Sequence, residues 1–429
     1  MVVSEDHAVP SVSVNLWVEV GSGHERPGRT GLAHLFEHLM FQGSELVAEG
    51  EHMAALMAQG GRSNATTSFD RTTYVESVPT GALELALWLE ADRHGHLLPA
   101  LTQANLDNQR DVVVEEKRQR YDTVPYGQAL AHACRLVFPE GHPYHHTTIG
   151  GMDDLLAADL DDVHAFFAAH YGPRTSVLTL VGDVTPERGV ELAERYLGHL
   201  VDGTVPRPAP HEPLEPLPAP LTLDLVEEVP SQRLYLAFRL PAVIDPAFLP
   251  AAMALDALAS LEVSRLQLRL LRREESVSGC HATALGLAGG TSLGLVVLDV
   301  SEGVDPSDVE RAVHQELEAL AADGPSEAEL EASRAETERS WLEALASFDE
   351  RAELVSRAVA VHGDPDQVNT YLDQVMAVTA EEVRAAAARW LRPSSAATLR
   401  YLRPAEPAAA GGPPTQDDRA AAAPDGGMP

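Results

Sequence analysis

The stretch from Gly31 to Gly43, Gly-Leu-Ala-His-Leu-Phe-Glu-His-Leu-Met-Phe-Gln-Gly, restricts what this chain can fold into more than any other. From Leu32 to Phe41 it carries helix formers and no proline. Thr30 is placed to cap its first turn and Gly43 to stop its last. Apolar residues lie on every side, so the helix belongs inside a core. It nevertheless holds His34, Glu37 and His38, and isolated charges are costly to bury. Any fold of this chain must provide for three ionisable groups within a little more than one buried turn.

Their spacing offers an answer. His34 and His38 are four residues apart, so their rings leave one helix face a turn apart and can reach the same cation. Glu37 lies on the same side, three after His34 and next to His38. Two imidazoles suit zinc, which takes a third protein ligand and keeps a position for water. A carboxylate beside that water can accept its proton. The order His-x-x-Glu-His is the inverse of the His-Glu-x-x-His zinc-protease motif. The competing reading is a pair of histidines hydrogen-bonded within a core.

A third ligand should be an Asp, Glu or His on a neighbouring element. The run Asn108 to Gln119 supplies the candidates, although by itself it reads as a solvated, charged helix. Adjacent helix residues point about 100° apart, so Glu115 and Glu116 cannot both face a metal. Val112 and Val113 precede Glu116 by four and three positions and set it on an apolar stripe. Glu115 shares its side with Asp111 and Gln119. Glu116 is therefore the choice.

Around these segments the pattern alternates between strand and helix. Val12, Val14, Leu16, Val18 and Val20 define a strand face within residues 8–20. Residues 45–58 read as a helix, Ser63 to Val78 as one or two strands, Leu83 to Arg93 as an amphipathic helix and Leu101 to Tyr121 as a longer charged one. Val163 to His170 is a further helix, and Ser176 to Val181 a buried strand. The second half repeats this organisation. Leu106-Asp-Asn-Gln-Arg110 resembles Leu330-Glu-Ala-Ser-Arg334 at a shift of 224, and Val163 to Pro173 resembles Val383 to Pro393 at a shift of 220. A duplicated domain follows, with no second His-x-x-Glu-His. Prolines crowd residues 203–220, and the last residues are Ala, Gly, Pro and Asp. The expected division is a metal-bearing domain over 1–202, a linker over 203–220, a metal-free domain over 221–404 and a disordered tail over 405–429.

With 429 residues, two or more cores are expected. A formal charge of −34 argues against a nucleic-acid partner. Two cysteines, Cys134 and Cys280, make no disulfide framework and fit a reducing compartment. No apolar run is long enough to span a membrane, and Met1 to His7 lacks the basic start and apolar centre of a signal peptide. The expected location is the cytoplasm.

Gly28-Arg-Thr-Gly-Leu-Ala-His34-Leu-Phe-Glu37-His38-Leu-Met-Phe41, with Glu116 at this distance, resembles the pitrilysin and mitochondrial-processing-peptidase family of zinc peptidases, especially its bacterial two-domain members. Asn64-Ala-Thr-Thr67, Asp70, Thr72, Tyr74 and Glu76 extend the resemblance, as do His142-Pro-Tyr144 and Val181-Gly-Asp183. Ser264-Arg-Leu266 carries it, more weakly, into the second half. The resemblance implies an α+β fold. Two homologous α/β-sandwich domains, each a mixed sheet with helices packed on one face, would form half of a clamshell around a peptide chamber. It also implies one zinc ion per chain held by His34, His38 and Glu116, with Glu37 as general base. The substrate backbone would pair with the strand at Asn64 and Ala65. The implied activity is metalloendopeptidase cleavage of unfolded peptides; a non-catalytic structural subunit is the alternative. Members that act alone carry an Arg and, a few residues on, a Tyr in the second half. Here Arg272 is present as a substrate-binding candidate, but Gly279 stands where the Tyr would be. That departure implies a homologous partner subunit lacking the zinc motif, in a heterodimer, or else a homodimer.

Overall fold

A computed structural model describes residues 1–202 and 211–404. The expected tail over 405–429, and the part of the expected linker over 203–210, lie outside the described residues. Five strands build a first sheet: β1 (Val2–Glu5), β2 (Ser11–Val18), β3 (Arg62–Thr67), β4 (Thr72–Pro79) and β5 (Ser176–Gly182). Five more build a second: β6 (Leu221–Val226), β7 (Arg233–Pro241), β8 (Val277–Leu285), β9 (Thr291–Val300) and β10 (Ala397–Leu402). The spatial orders are β1-β5-β2-β4-β3 and β6-β10-β7-β9-β8, the same topology twice. In each sheet the first strand runs parallel to the last and the other pairings are antiparallel. Both sheets are thus mixed, as the family resemblance implies.

Fourteen α-helices stand among the described residues. In the first half they are α1 (Leu32–Leu39), α2 (Glu51–Ala58), α3 (Leu83–Ala100), α4 (Gln103–Lys117), α5 (Ala129–Val137), α6 (Met152–Ala157), α7 (Leu160–His170) and α8 (Pro186–Leu197). The second half adds α9 (Phe248–Leu255), α10 (Pro306–Asp323), α11 (Glu327–Ala346), α12 (Phe348–Arg357), α13 (Gln367–Ala377) and α14 (Ala380–Trp390). The helix expected over 45–58 starts only at Glu51, because Gly50 takes a left-handed φ of 79°. The one expected to end at Arg93 runs on to Ala100 and tolerates Pro99 in its last turn. The charged helix ends at Lys117 and continues as a wider, π-type turn to Asp122.

The alternating apolar residues of β2 enter the core as their spacing predicts: Val12, Val14, Leu16 and Val18 pack with Leu35, Phe36 and Leu39 of α1 and with α3. Full burial of each such side chain is worth about 1.5–3 kcal/mol. The opposite face of β2 is buried too, with Ser13 and Asn15 at 1% and 0% exposure. The cover comes from the other half of the chain. α12 lies across β2 and β5, and α5 lies across β7 and β10. The two interfaces differ in chemistry. Beneath α5 the contact is apolar, joining Ala129, Ala133 and Val137 to Tyr235, Ala237, Leu295, Val297 and Leu399. Beneath α12 it is polar: Ser356 Oγ donates to Asn15 Oδ1 at 2.7 Å and lies 2.8 Å from the hydroxyl of Thr179, and Asn15 Nδ2 donates to Glu353 at 3.0 Å.

Among the described residues no helix is long and apolar enough to cross a membrane.

Candidate metal centre

α1 begins differently from expectation. Its N-cap is Gly31, at a left-handed φ of 90°, with no side-chain cap of its own. Thr30 turns away and donates from Oγ1 to Asp154 at 2.6 Å. The first-turn amides of Gly31 and Ala33 instead donate to the carboxylate of Glu25, at 2.8 and 2.7 Å. A carboxylate at this end suits the helix dipole. Burial nevertheless pushes Glu25 up to about 8, with the two backbone donors opposing.

Past this cap, His34 and His38 project together, with ring centroids 4.8 Å apart and planes inclined at 74°. α4 packs against α1 and brings in Glu116, whose Oε2 lies 3.7 Å from His34 Nε2 and 3.4 Å from His38 Nε2. All three potential ligand atoms fall within 4.8 Å of one another. A tetrahedral shell with metal–ligand bonds of about 2.0–2.2 Å sets neighbouring ligands roughly 3.3–3.6 Å apart. The two contacts to Glu116 match that spacing closely, so these residues fit a zinc ion with little movement. The adjacent Glu115 faces solvent and is held by Arg118 at 2.6 Å and Gln119 at 2.5 Å.

Electrostatics favour the same use. Burial, reinforced by His38, lowers His34 to about 4, so its ring is neutral at neutral pH and has a nitrogen lone pair to offer. Burial is the largest single influence on His38 and opposes its charge, but the hydrogen bond to Glu116 and the negative charges of Glu116 and Glu37 together outweigh it and raise that ring overall. Glu116 is lowered, first by its bond to His38. Its second oxygen pairs with Arg120 Nη1 at 2.8 Å. Glu37 is raised by burial, against the pull of Thr67, whose Oγ1 donates to Glu37 Oε2 at 2.5 Å. The side chain of Gln109 hydrogen-bonds His38.

Asn64 and Ala65 lie on β3, an edge strand of the first sheet, which among the described residues pairs only with β4. α1 packs beside it. Arg272 lies in the second half on a wide turn over Gln267–Arg273 and pairs with Glu262 at 3.0 Å. Among the described residues no bond links it to the His34–His38–Glu116 group. Gly279 sits in β8, beside a bulge. Gln109 and Arg120 are not among the candidates read from the sequence, and Thr67 enters there only as part of the segment Asn64 to Thr67, with no role at the site. Arg120, one turn after Glu116, and Gln109, two turns before it, are readable from helix period once Glu116 is chosen. No local period points Thr67 at Glu37.

A second group among the described residues, His52, Glu76 and Glu90, also clusters within 4.8 Å. It already contains its cation. The buried Arg93 grips both oxygens of Glu90, and His52 Nε2 lies 2.7 Å from Glu76 Oε1. We read it as a structural charge network beneath the sheet.

Comparison with known proteins follows the two halves. A family profile described as "Insulinase (Peptidase family M16)" matches residues 1–136, and one described as "Peptidase M16 inactive domain" matches residues 157–337. The chain is 34% identical over 205 residues to the zinc protease PqqE of Helicobacter pylori, an alignment spanning 47% of this chain and 46% of that one. It thus spans about half the length of that relative. It is 29% identical over 383 residues to an uncharacterized zinc protease of Mycobacterium bovis, covering 89% of this chain and 86% of that one. The crystal structure of a protease from Helicobacter pylori superposes with a TM-score of 0.86 at 25% identity, covering 94% of this chain and 97% of the other.

Proposed function

The chain belongs to the M16 peptidase family, and from that premise we propose that it is a zinc-dependent endopeptidase acting on unfolded peptides, its metal held by His34, His38 and Glu116. One observation carries the proposal: three ligand atoms from two helices converge within 4.8 Å, with Glu37 on the same helix as the imidazoles. The naming of relatives as zinc proteases supports zinc as the ion.

When bound, zinc supplies a Lewis acid toward water and a peptide carbonyl. The chain's own residues do the rest. Glu37 takes a proton from the attacking water and passes it to the departing amine nitrogen. Its carboxyl is suited to both steps, since burial raises its basicity while the Thr67 hydroxyl limits the rise and fixes one oxygen. The free edge of β3 at Asn64 and Ala65 takes up the substrate backbone as an added strand, which selects extended, unfolded chains over folded ones. Arg120, on the outer oxygen of Glu116, holds that carboxylate toward the imidazoles.

The missing aromatic at Gly279 supports a two-chain assembly in which a homologous subunit without the motif closes the chamber. Two buried free thiols, Cys134 and Cys280, suit a reducing compartment such as the cytoplasm. The description of the second-half match as an inactive domain also supports a rival reading, a non-catalytic subunit. Replacing Glu37 by Gln separates the two. The substitution is expected to leave zinc content unchanged and abolish peptide hydrolysis; hydrolysis that survives it, or an unmodified chain that binds no zinc, would refute the proposal.

A further inference from the structure

α12 belongs by sequence to the half without a metal-binding group, yet its polar side chains are directed at the sheet of the other half. Glu353 divides its carboxylate. Oε2 accepts from Asn15 Nδ2 at 3.0 Å, and Oε1 pairs with Arg71 Nη2 at 2.8 Å. Arg71 closes the turn between β3 and β4. Its Nη1 donates to the carbonyl of Thr66 at 3.1 Å, to the Thr66 hydroxyl at 2.7 Å and to the Thr73 hydroxyl at 3.1 Å. The guanidinium therefore ties the end of β3 to β4. The next residue, Thr67, is the one whose hydroxyl holds Glu37. A continuous path of polar contacts runs from α12 to the carboxylate beside the histidines.

The path has a mechanical consequence. β3 is an edge strand with ladder bonds on one side only, so its last residues are held mainly by what grips them from the turn. Arg71 and Glu353 are each less than a third exposed, and a fork-shaped guanidinium with several acceptors is a stronger tether than a surface ion pair. We propose that Glu353 is a positioning residue: acting through Arg71, it keeps the end of β3, and with it Thr67, where Glu37 is aimed for proton transfer. The metal-free half thereby completes the site of the other. This rests on the hydrolytic function proposed above.

The test uses the full-length, zinc-loaded protein and an unstructured fluorogenic peptide, with kcat, KM and zinc content measured for each variant. Glu353→Gln and Thr67→Val are each expected to lower kcat about tenfold, short of the 10²–10⁴ that a whole general base contributes. KM and zinc content should stay near those of the unmodified chain. The double variant should lose no more than the worse single one, because both break one path of contacts. Thr67→Ser should restore activity. Arg351→Gln serves as control, since Arg351 also reaches from α12 to the first half, but to Asp6 beyond β1 at 3.0 Å. Should Glu353→Gln fail to accumulate, Arg71→Lys gives the same readout by removing the fork and keeping the charge. A kcat for Glu353→Gln equal to that of the control, or losses that multiply in the double variant, would overturn the positioning role alone. An inactive unmodified protein would instead overturn the hydrolytic function, and this inference with it.

Discussion

At the scale of single residues, the site turns on which of two adjacent carboxylates faces the histidines. Glu115 and Glu116 are equivalent in composition and differ only in helix phase. Glu115 is fixed outward by Arg118 and Gln119, whereas Glu116 reaches 3.4 Å from His38. Substituting Glu116→Gln is therefore expected to weaken zinc binding by more than the roughly 100-fold upper range seen for outer-shell partners. Glu115→Gln should leave it unchanged. Chelator competition on the two proteins checks both. The apolar stripe used to choose Glu116 from the sequence is half there: Val113 is fully buried, but Val112 is 42% exposed. Helix phase was legible at this position; the identity of the helix's neighbours was not. Thr67 shows the limit from the other side. It lies 30 residues from Glu37, and only packing brings their side chains to 2.5 Å.

At the scale of elements, α1 is a helix whose start is set from outside. Its expected cap, Thr30, bonds Asp154, and Glu25 takes the exposed amides instead. The reason is reach: a Glu from the preceding loop can span two amides of the first turn at once, which a short hydroxyl cannot. Glu25 also makes α1 sensitive to pH. Its carboxyl titrates near 4.5 in an unfolded chain and is lifted to about 8 by burial in the folded one. A raised pKa favours the protonated acid, so its stabilising contribution is complete below the unfolded value and fades as pH rises through the folded one. Between about pH 5 and 8, Glu25→Gln should lose less unfolding free energy than the unmodified protein, as measured by denaturant titration across that range. A parallel decline in the two proteins would contradict this account.

Across the whole molecule, the two halves are copies in topology but not independent in structure. Each sheet is covered on one face by its own helices and on the other by a helix from the opposite half. Residues 1–202 expressed alone would expose the apolar side of α5, with Ala133 and Val137, and would strip the partners from Asn15 and Thr179. That fragment is expected to lack a cooperative unfolding transition, whereas the full chain has one; calorimetry on both is the check. A fragment that melted like the full chain would mean that the exchanged helices contribute little.

The sequence alone determined what depends on short range: the helix period that puts His34, Glu37 and His38 on one side, the alternation that sends the valines of β2 inward, and the repeat that yields two sheets of one topology. Such features are written in spacing, because backbone geometry converts a few residues' separation into direction. Tertiary structure decided which distant side chains meet. Glu25 at the start of α1, Thr67 against Glu37 and α12 over the first sheet all join segments far apart in the chain. No local period encodes such meetings, since they follow from how whole elements pack and from which buried polar groups are left needing a partner.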